Sequence, residues 1–139
     1  MSNIGKIVQI IGPVLDIKFE NGHLPDLLNA IEIEYDGKKI VCEVAQQLGD
    51  DVVRCISMSS TDGMSRGMTA IDTGTGITVP VGEETLGRIF NVLGEAVDDL
   101  PDPKNAERWC IHRDPPKFSE QEGGTEISRS NPHVLFYFN

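Results

Sequence analysis

The first half of the chain alternates apolar and polar residues with the two-residue period of β-strands. Apolar side chains occupy every second position from Leu15 to Phe19, and the runs 31–35 and 40–44 repeat the pattern. Asp36-Gly37 lies between the last two runs. Because glycine readily adopts a positive φ, an Asp-Gly pair between two alternating runs predicts a β-hairpin.

Turn residues separate further short apolar runs, at 7–11, 52–58, 68–71 and 77–79. Gly12-Pro13 ends the first of them, and residues 72–76 form a polar turn between the last two. Residues 52–58 are apolar on both faces, which predicts cover on both faces. About six short strands at this spacing, with no convincing helix among them, predict a small closed β-barrel.

A different period follows the predicted barrel. Apolar residues recur there at helical spacing, at Leu86, Ile89, Phe90 and Leu93. Because Glu83 and Glu84 precede this stripe and Gly94 follows it, the pattern predicts a helix of roughly two turns. Residues 98–118 are rich in proline and charge, which indicates an extended connector.

Composition narrows the possible partners more than it narrows the fold. The 139 residues suffice for one domain, or for one small domain and part of another. The formal net charge of −10 disfavours nucleic acid as a partner. No apolar run approaches the roughly 18 residues of a membrane span. The first residues, Met1 to Lys6, resemble neither a signal peptide nor a transit peptide, so we expect a cytoplasmic chain without direct membrane insertion.

The histidines and cysteines form only a weak candidate metal site. Cys110 and His112, with His23 and His133, lack the second closely spaced ligand pair that is typical of zinc sites. We therefore predict no metal site.

The other two cysteines have a structural interpretation. Cys42 and Cys55 lie within strand patterns, which predicts buried, reduced thiols rather than a disulfide framework.

Phosphate-binding sequences are missing from the printed chain. A loop of the form Gly-x-x-x-x-Gly-Lys-Ser/Thr would place backbone amides and a lysine around the phosphates. The Gly-Lys pairs here, at residues 5–6 and 37–38, are followed by Ile7 and Lys39. Residues 74–76, Gly-Thr-Gly, lack the third glycine of a dinucleotide loop, so a turn is predicted there. We assign no catalytic, cofactor-binding or metal-binding residue and expect no nucleotide binding by this chain.

Arg88 has two possible roles. On the predicted helix it is either a solvent-facing side chain or an arginine that pairs with acidic groups at a subunit boundary. The sequence leaves both interpretations open.

Several strings resemble, in order, the F-type ATP synthase catalytic beta subunit family. They are residues 5–16, 43–49, 53–54, 60–63, 66–68, 72–74, 79–94 and 111–118. The longest, Val79 to Gly94, resembles the segment that leads into the nucleotide-binding domain of that family. The resemblance extends to about Ile127. Residues 128–139 then depart abruptly from the family pattern, which is typical of a frame slip, an assembly error or a truncated gene.

The resemblance implies a mainly β fold in three parts. Residues 1–79 would form a small closed six-stranded N-terminal β-barrel. Residues 80–127 would hold the short helix and the connector, as the truncated start of an α/β nucleotide-binding domain. Residues 128–139 would be an unmatched, disordered tail. In this family, barrels of alternating alpha and beta subunits pack into a ring that holds the hexamer together.

The resemblance also implies partners and a location. The barrel would contact ATP synthase alpha subunits, whereas the central shaft and the membrane rotor would be reached only through the full-length complex. ATP or ADP with Mg²⁺ serves the full-length family, in which rotary catalysis makes ATP from ADP and phosphate, and we expect no cofactor in this chain. The complex would lie peripherally on the cytoplasmic face of the plasma membrane and translocate protons.

Two alternatives belong to other functional classes. The first is a free-standing β-barrel adaptor that binds a protein partner and has no link to an ATPase. The second is an oligonucleotide-binding barrel, which requires basic and aromatic residues along one groove. An aromatic content of 6% and the negative net charge disfavour this second alternative.

Overall fold

The computed structural model describes residues 3–20, 23–115 and 117–120. The described residues divide into two compact units, one that ends at Ile77 and one that begins at Thr78. The prediction of a disordered tail at residues 128–139, and His133 as a metal candidate, lie outside the described residues. No helix in the part of the chain that the structure describes is long and apolar enough to cross a membrane.

Six antiparallel strands close the first unit into a barrel in the order β1-β2-β5-β4-β3-β6. The strands are β1 (Asn3–Ile11), β2 (Val14–Lys18), β3 (Asn29–Tyr35), β4 (Lys38–Gly49), β5 (Val52–Ser57) and β6 (Thr69–Gly76). The predicted mainly β fold with a closed six-stranded barrel is therefore confirmed.

The barrel interior contains the side chains that the alternating pattern placed on one face. The buried core includes Ile7, Leu15, Ile17, Phe19, Ile31, Ile33, Ile40, Val44, Val53 and Ala70. Cys42 and Cys55 lie in the same core as free thiols, which confirms the prediction of buried, reduced cysteines. Burial of these side chains is the main favourable contribution to folding.

Two tight hairpins join neighbouring strands, one at the predicted Asp36-Gly37 and one at Gly12-Pro13, where the sequence predicted only the end of a run. Asp36 and Gly37 have φ values of 51° and 69° and connect the paired residues Tyr35 and Lys38. Positive φ at both central residues is the geometry of a type I′ turn, which matches the twist of the flanking strands. Gly12-Pro13 connects β1 and β2 in a loop of the same length.

The end of the barrel differs from the prediction. Strand β6 continues to Gly76, where the sequence predicted a turn at residues 72–76. Asp72 still pairs with Asn3 of β1 and Ile31 of β3, and Gly76 pairs with Asn29 of β3 after a register irregularity. The run 77–79 does not supply a barrel strand. Instead β7 (Thr78–Val81) pairs with β8 (Glu107–Cys110) in the second unit. The sequence missed β8 because its residues lack an apolar alternation.

The predicted helix over residues 86–93 is wrong. Only a 3₁₀ turn, Glu83–Thr85, is present, and Gly87 adopts a φ of 71° that an α-helix does not allow. The chain then forms a short hairpin in which Phe90 pairs with Ala96. The Asn91 side-chain oxygen accepts hydrogen bonds from the backbone N–H groups of Leu93 (3.0 Å) and Glu95 (3.0 Å). These bonds satisfy the turn backbone locally, so the hairpin replaces the helix.

Candidate functional site

Apolar side chains on the outside of the barrel include two sets on hydrogen-bonded strands. On β1, β2 and β5 the register places Ile11 beside Val14 and Val14 beside Ile56. Ile11 is 55% exposed and Ile56 45% exposed. We call this set the first isoleucine patch. The sequence predicted cover on both faces of residues 52–58, whereas the outward face of β5 is open at Ile56.

A second isoleucine patch lies where β1 meets β6. Ile4 and Ile71 are directly paired there and are 48% and 40% exposed. Ile4 and Ile11 lie near opposite ends of β1, roughly 23 Å apart along the strand at a rise of about 3.3 Å per residue. The two patches therefore lie toward opposite ends of β1, with Val8, 40% exposed, between them on the same strand.

An ion pair borders the first isoleucine patch. Asp16 on β2 and Arg54 on β5 are directly opposite each other. The Arg54 Nε and Nη2 atoms donate to the two carboxylate oxygens of Asp16 at 2.8 and 2.9 Å. The hydrogen bonds to Asp16, followed by its charge, raise the pKa of the Arg54 guanidinium. A bidentate pair fixes both side chains, so this part of the surface has a defined shape.

A polar network fixes the strands next to the second isoleucine patch. The Asp72 carboxylate accepts hydrogen bonds from Asn29 Nδ2 (3.1 Å) and from the backbone N–H of Gly74 (2.9 Å). Asn3 Nδ2 lies 3.4 Å from the same carboxylate and donates to the backbone oxygen of His23 at 2.7 Å. Asp72 thus connects β1, β3 and β6 at one end of the barrel, and its neighbour Ile71 is held in place.

The buried cysteines have no features of a reactive site. Burial raises the pKa of Cys42 to about 11, a shift that the hydrogen bond with Ser57 only partly offsets. Burial also raises the pKa of Cys55. Because the thiolate is the reactive form, both thiols are structural.

Arg88 binds within its own unit. Its Nε and Nη2 atoms donate to Asp98 at 2.6 and 3.0 Å, and Nη2 also donates to the backbone oxygen of Pro101 at 2.9 Å. The side chains of Arg88 and Asp98 are largely buried. Hydrogen bonds from Arg88 hold the pKa of Asp98 below its usual range, against the effect of desolvation. Arg88 is therefore neither a solvent-facing side chain nor on a helix, and it pairs with an acidic group of its own hairpin.

The remaining candidates from the sequence are not brought together into a site. Within residues 3–20, 23–115 and 117–120, no group of three or more histidine, cysteine or acidic side chains could hold a metal ion. Gly74 adopts a φ of 72° near the end of β6, and Thr73 Oγ1 donates to the backbone oxygen of Ala30. This segment is part of the barrel wall.

The isoleucine patches were not among the predicted features. A signal was present, because Ile56 and Ile71 each follow a buried position of their strand directly and so had to point outward. The closed barrel was needed to show which alternate residues of an apolar run face the core.

The barrel matches a known protein family. Residues 7–74 match the family described as the ATP synthase alpha/beta family, beta-barrel domain. The matched residues begin within β1 and end within β6, so the match and the closed barrel describe nearly the same part of the chain.

Proposed function

The barrel of this chain belongs to the ATP synthase alpha/beta family, and from this membership we propose that it serves as one member of a ring of such barrels, as the N-terminal part of a beta-type subunit. The two separate isoleucine patches are the observation that carries the proposal. Each member of a ring contacts two neighbours through two different surfaces, whereas a twofold dimer uses one self-complementary surface. A barrel with two distinct apolar surfaces suits the first arrangement.

The character of the patches also suits a subunit contact. Ile4 and Ile71 lie on neighbouring strands, whereas Val14 of β2 links Ile11 to Ile56. Fixed polar groups lie beside both patches: Asp16 with Arg54 near one, Asp72 near the other. Apolar side chains in the centre of an interface provide most of the affinity, while surrounding polar groups provide orientation. The barrel itself would perform no chemistry in this role.

The beta-type assignment rests on the strings that resemble the beta subunit, above all Val79 to Gly94. In the complete subunit that we propose, nucleotide with Mg²⁺ would bind to a domain that the barrel precedes. The partners of the barrel would be alpha subunits of a proton-translocating synthase, and the complex would lie peripherally on the cytoplasmic face of the plasma membrane.

The test is association with the alpha subunit of a bacterial F-type ATP synthase. The purified full chain is mixed with that subunit, and complexes are measured by size-exclusion chromatography and native mass spectrometry. We expect association, and we expect Ile56→Asp and Ile71→Asp each to weaken it by about tenfold or more, because a carboxylate would be buried in an apolar contact.

Leu100→Asp is the matched control, because it makes the same change at an exposed apolar residue of the second unit. This variant is expected to associate like the unmodified chain. Absence of any association would overturn the ring and favour a free-standing adaptor. Association that neither isoleucine substitution weakens would show that the patches are not the contact surfaces.

A further inference from the structure

A third set of exposed apolar side chains lies on the barrel. Leu27 is 58% exposed, Leu28 41% and Leu48 42%. We call these three residues the leucine patch. They belong to the loop before β3 and to the far half of β4, whereas the isoleucine patches lie on β1, β2, β5 and β6.

Hydrogen bonds hold the two parts of the leucine patch side by side. Strand β3 pairs with β4 only as far as Glu43. Beyond that point the loop takes its place: the backbone N–H of Leu28 donates to the Val44 oxygen at 2.9 Å, and Gln47 Nε2 donates to the Pro25 oxygen at 2.9 Å. The loop therefore runs along the edge of β4 between Val44 and Gln47, the residue that precedes Leu48.

The backbone is irregular at each part of the patch. The register of β4 against β5 shifts between Val44 and Gln46 and again between Gln47 and Gly49, so Leu48 is an extra residue in a bulge. Leu28 has a φ of 69°, which is uncommon for a residue with a side chain. Bulges redirect side chains, and strained backbone accumulates at binding sites. Here both features accompany leucines that face solvent, although burial would be favoured for folding alone.

Three aspartates flank the patch along the chain, while the nearest cationic residues lie on the paired strands: Lys18 opposite Val52, and Arg54, which binds Asp16, opposite Gln46. Asp26 precedes Leu27, and Asp50 and Asp51 follow Leu48 closely; all three aspartates are exposed. The segments 25–28 and 48–51 contain no lysine, arginine or histidine. An apolar centre with carboxylates on both sides is complementary to a segment that combines apolar and cationic side chains.

We propose that the leucine patch is a docking site for a basic amphipathic protein segment, in which leucine-sized side chains alternate with lysine or arginine at helical spacing. The leucines would contact the apolar face of the segment, and the aspartates would receive its cationic side chains. This inference does not rest on the proposed ring, because it uses neither of the isoleucine patches.

Three synthetic helical peptides of equal length test the proposal against the full chain. One contains leucine and lysine, one leucine and glutamate, and one glutamine and lysine. Affinity is measured by fluorescence anisotropy of the labelled peptides at physiological salt. We expect the leucine–lysine peptide to bind at least about tenfold more tightly than either of the other two, because it alone satisfies both the apolar centre and the carboxylates.

Substitutions then locate the binding. Leu27→Ser with Leu48→Ser is expected to weaken the leucine–lysine peptide by about tenfold or more. Asp50→Asn with Asp51→Asn is expected to weaken the binding of this peptide less and to reduce the salt dependence of the affinity. Asparagine is chosen because, like aspartate, it tolerates a positive φ. Ile56→Ser, an equivalent change in the first isoleucine patch, is expected to leave the affinity unchanged.

Circular dichroism checks that every variant is folded. Equal affinity for the leucine–lysine and glutamine–lysine peptides would overturn the proposal, since it would reduce the interaction to net charge. Equal affinity of the chain with and without Leu27→Ser and Leu48→Ser would overturn it as well. Loss of binding in Ile56→Ser alone would place the peptide on the isoleucine patch instead.

Discussion

Gly5 is the position at which a single added carbon tests the packing of the barrel most directly. It is buried on β1, opposite Ala70 of β6. A Cβ atom built there would lie 2.8 Å from the backbone oxygen of Lys18, 2.9 Å from Cε1 of Phe19 and 3.0 Å from Cγ2 of Ile17. The substitution Gly5→Ala therefore forces β1 and β2 apart where they close one side of the barrel.

Two opposing effects set the size of the change. Alanine is favoured over glycine within an open strand by about 0.5–1 kcal/mol, because glycine loses more backbone freedom on folding. Adding a methyl group to a close-packed interior costs about 1–3 kcal/mol. The closest atom here belongs to the backbone of Lys18, whose strand is paired on both sides, so it has little freedom to move. We therefore expect a packing cost of about 2–3 kcal/mol, in the upper part of that range, and after the backbone gain is subtracted Gly5→Ala should destabilise the barrel by about 1–2.5 kcal/mol.

Thermal unfolding followed by far-ultraviolet circular dichroism measures the effect. For a unit of this size each kcal/mol corresponds to about 4–8 °C in Tm, so Tm is expected to fall by roughly 4–20 °C. Phe19→Leu removes the ring atom near Gly5, and in the double variant the two losses are expected to be less than additive.

Gly37→Ala is the matched control. Gly37 has a φ of 69°, and no atom lies within 4 Å of the added Cβ. The loss of stability in Gly37→Ala therefore reflects backbone conformation without a clash. The stability losses of Gly37→Ala and Phe19→Leu are therefore expected to be additive in the double variant. An unchanged or higher Tm in Gly5→Ala would refute the packing argument.

Two further outcomes are expected. Brief alkylation of the native chain should modify Cys110 first and spare Cys42 and Cys55. Burial raises the pKa of both spared thiols, and that of Cys42 to about 11, so little reactive thiolate forms. Mass spectrometry checks this, and early modification of either buried thiol would contradict it. Asp98→Asn should destabilise the second unit near neutral pH and flatten its loss of stability in acid. Hydrogen bonds from Arg88 hold the pKa of Asp98 below its ordinary value, so its stabilisation is present above about pH 4 and is lost as the pH falls toward the lowered pKa. Fluorescence of the single tryptophan, which lies in that unit, measures the acid transition, and an unchanged transition would argue against the assigned role.

The barrel was predictable because its determinants are local. The alternation from Leu15 to Phe19 selects the buried face of one strand, and Asp36-Gly37 fixes the register of one hairpin through the φ values that glycine and aspartate accept. Each of these signals is complete within a few residues of sequence. Closure then follows, since it leaves no edge of so small a sheet exposed.

The hairpin of the second unit was not predictable from the same kind of signal. The spacing of Leu86 and Phe90 fits a helix, and no residue from 86 to 93 excludes one, since Gly87 only weakens a helix. What decides against the helix lies further along the chain: Asp98 binds Arg88, and Ala96 pairs with Phe90. Tertiary contacts of this kind override a local period, because a helix of two turns contributes little stability alone.

The outer surface of the barrel shows a second reason why function was harder to predict than fold. Alternation identifies the inward face of a strand only when the other face is polar, and Ile56 and Ile71 remove that contrast. The apolar residues that obscure the strand pattern are then the same ones that remain exposed after closure. In a small barrel the inward positions are set by packing. Outward apolar residues that weaken the pattern then indicate contact surfaces. Association with a partner subunit tests that reasoning directly.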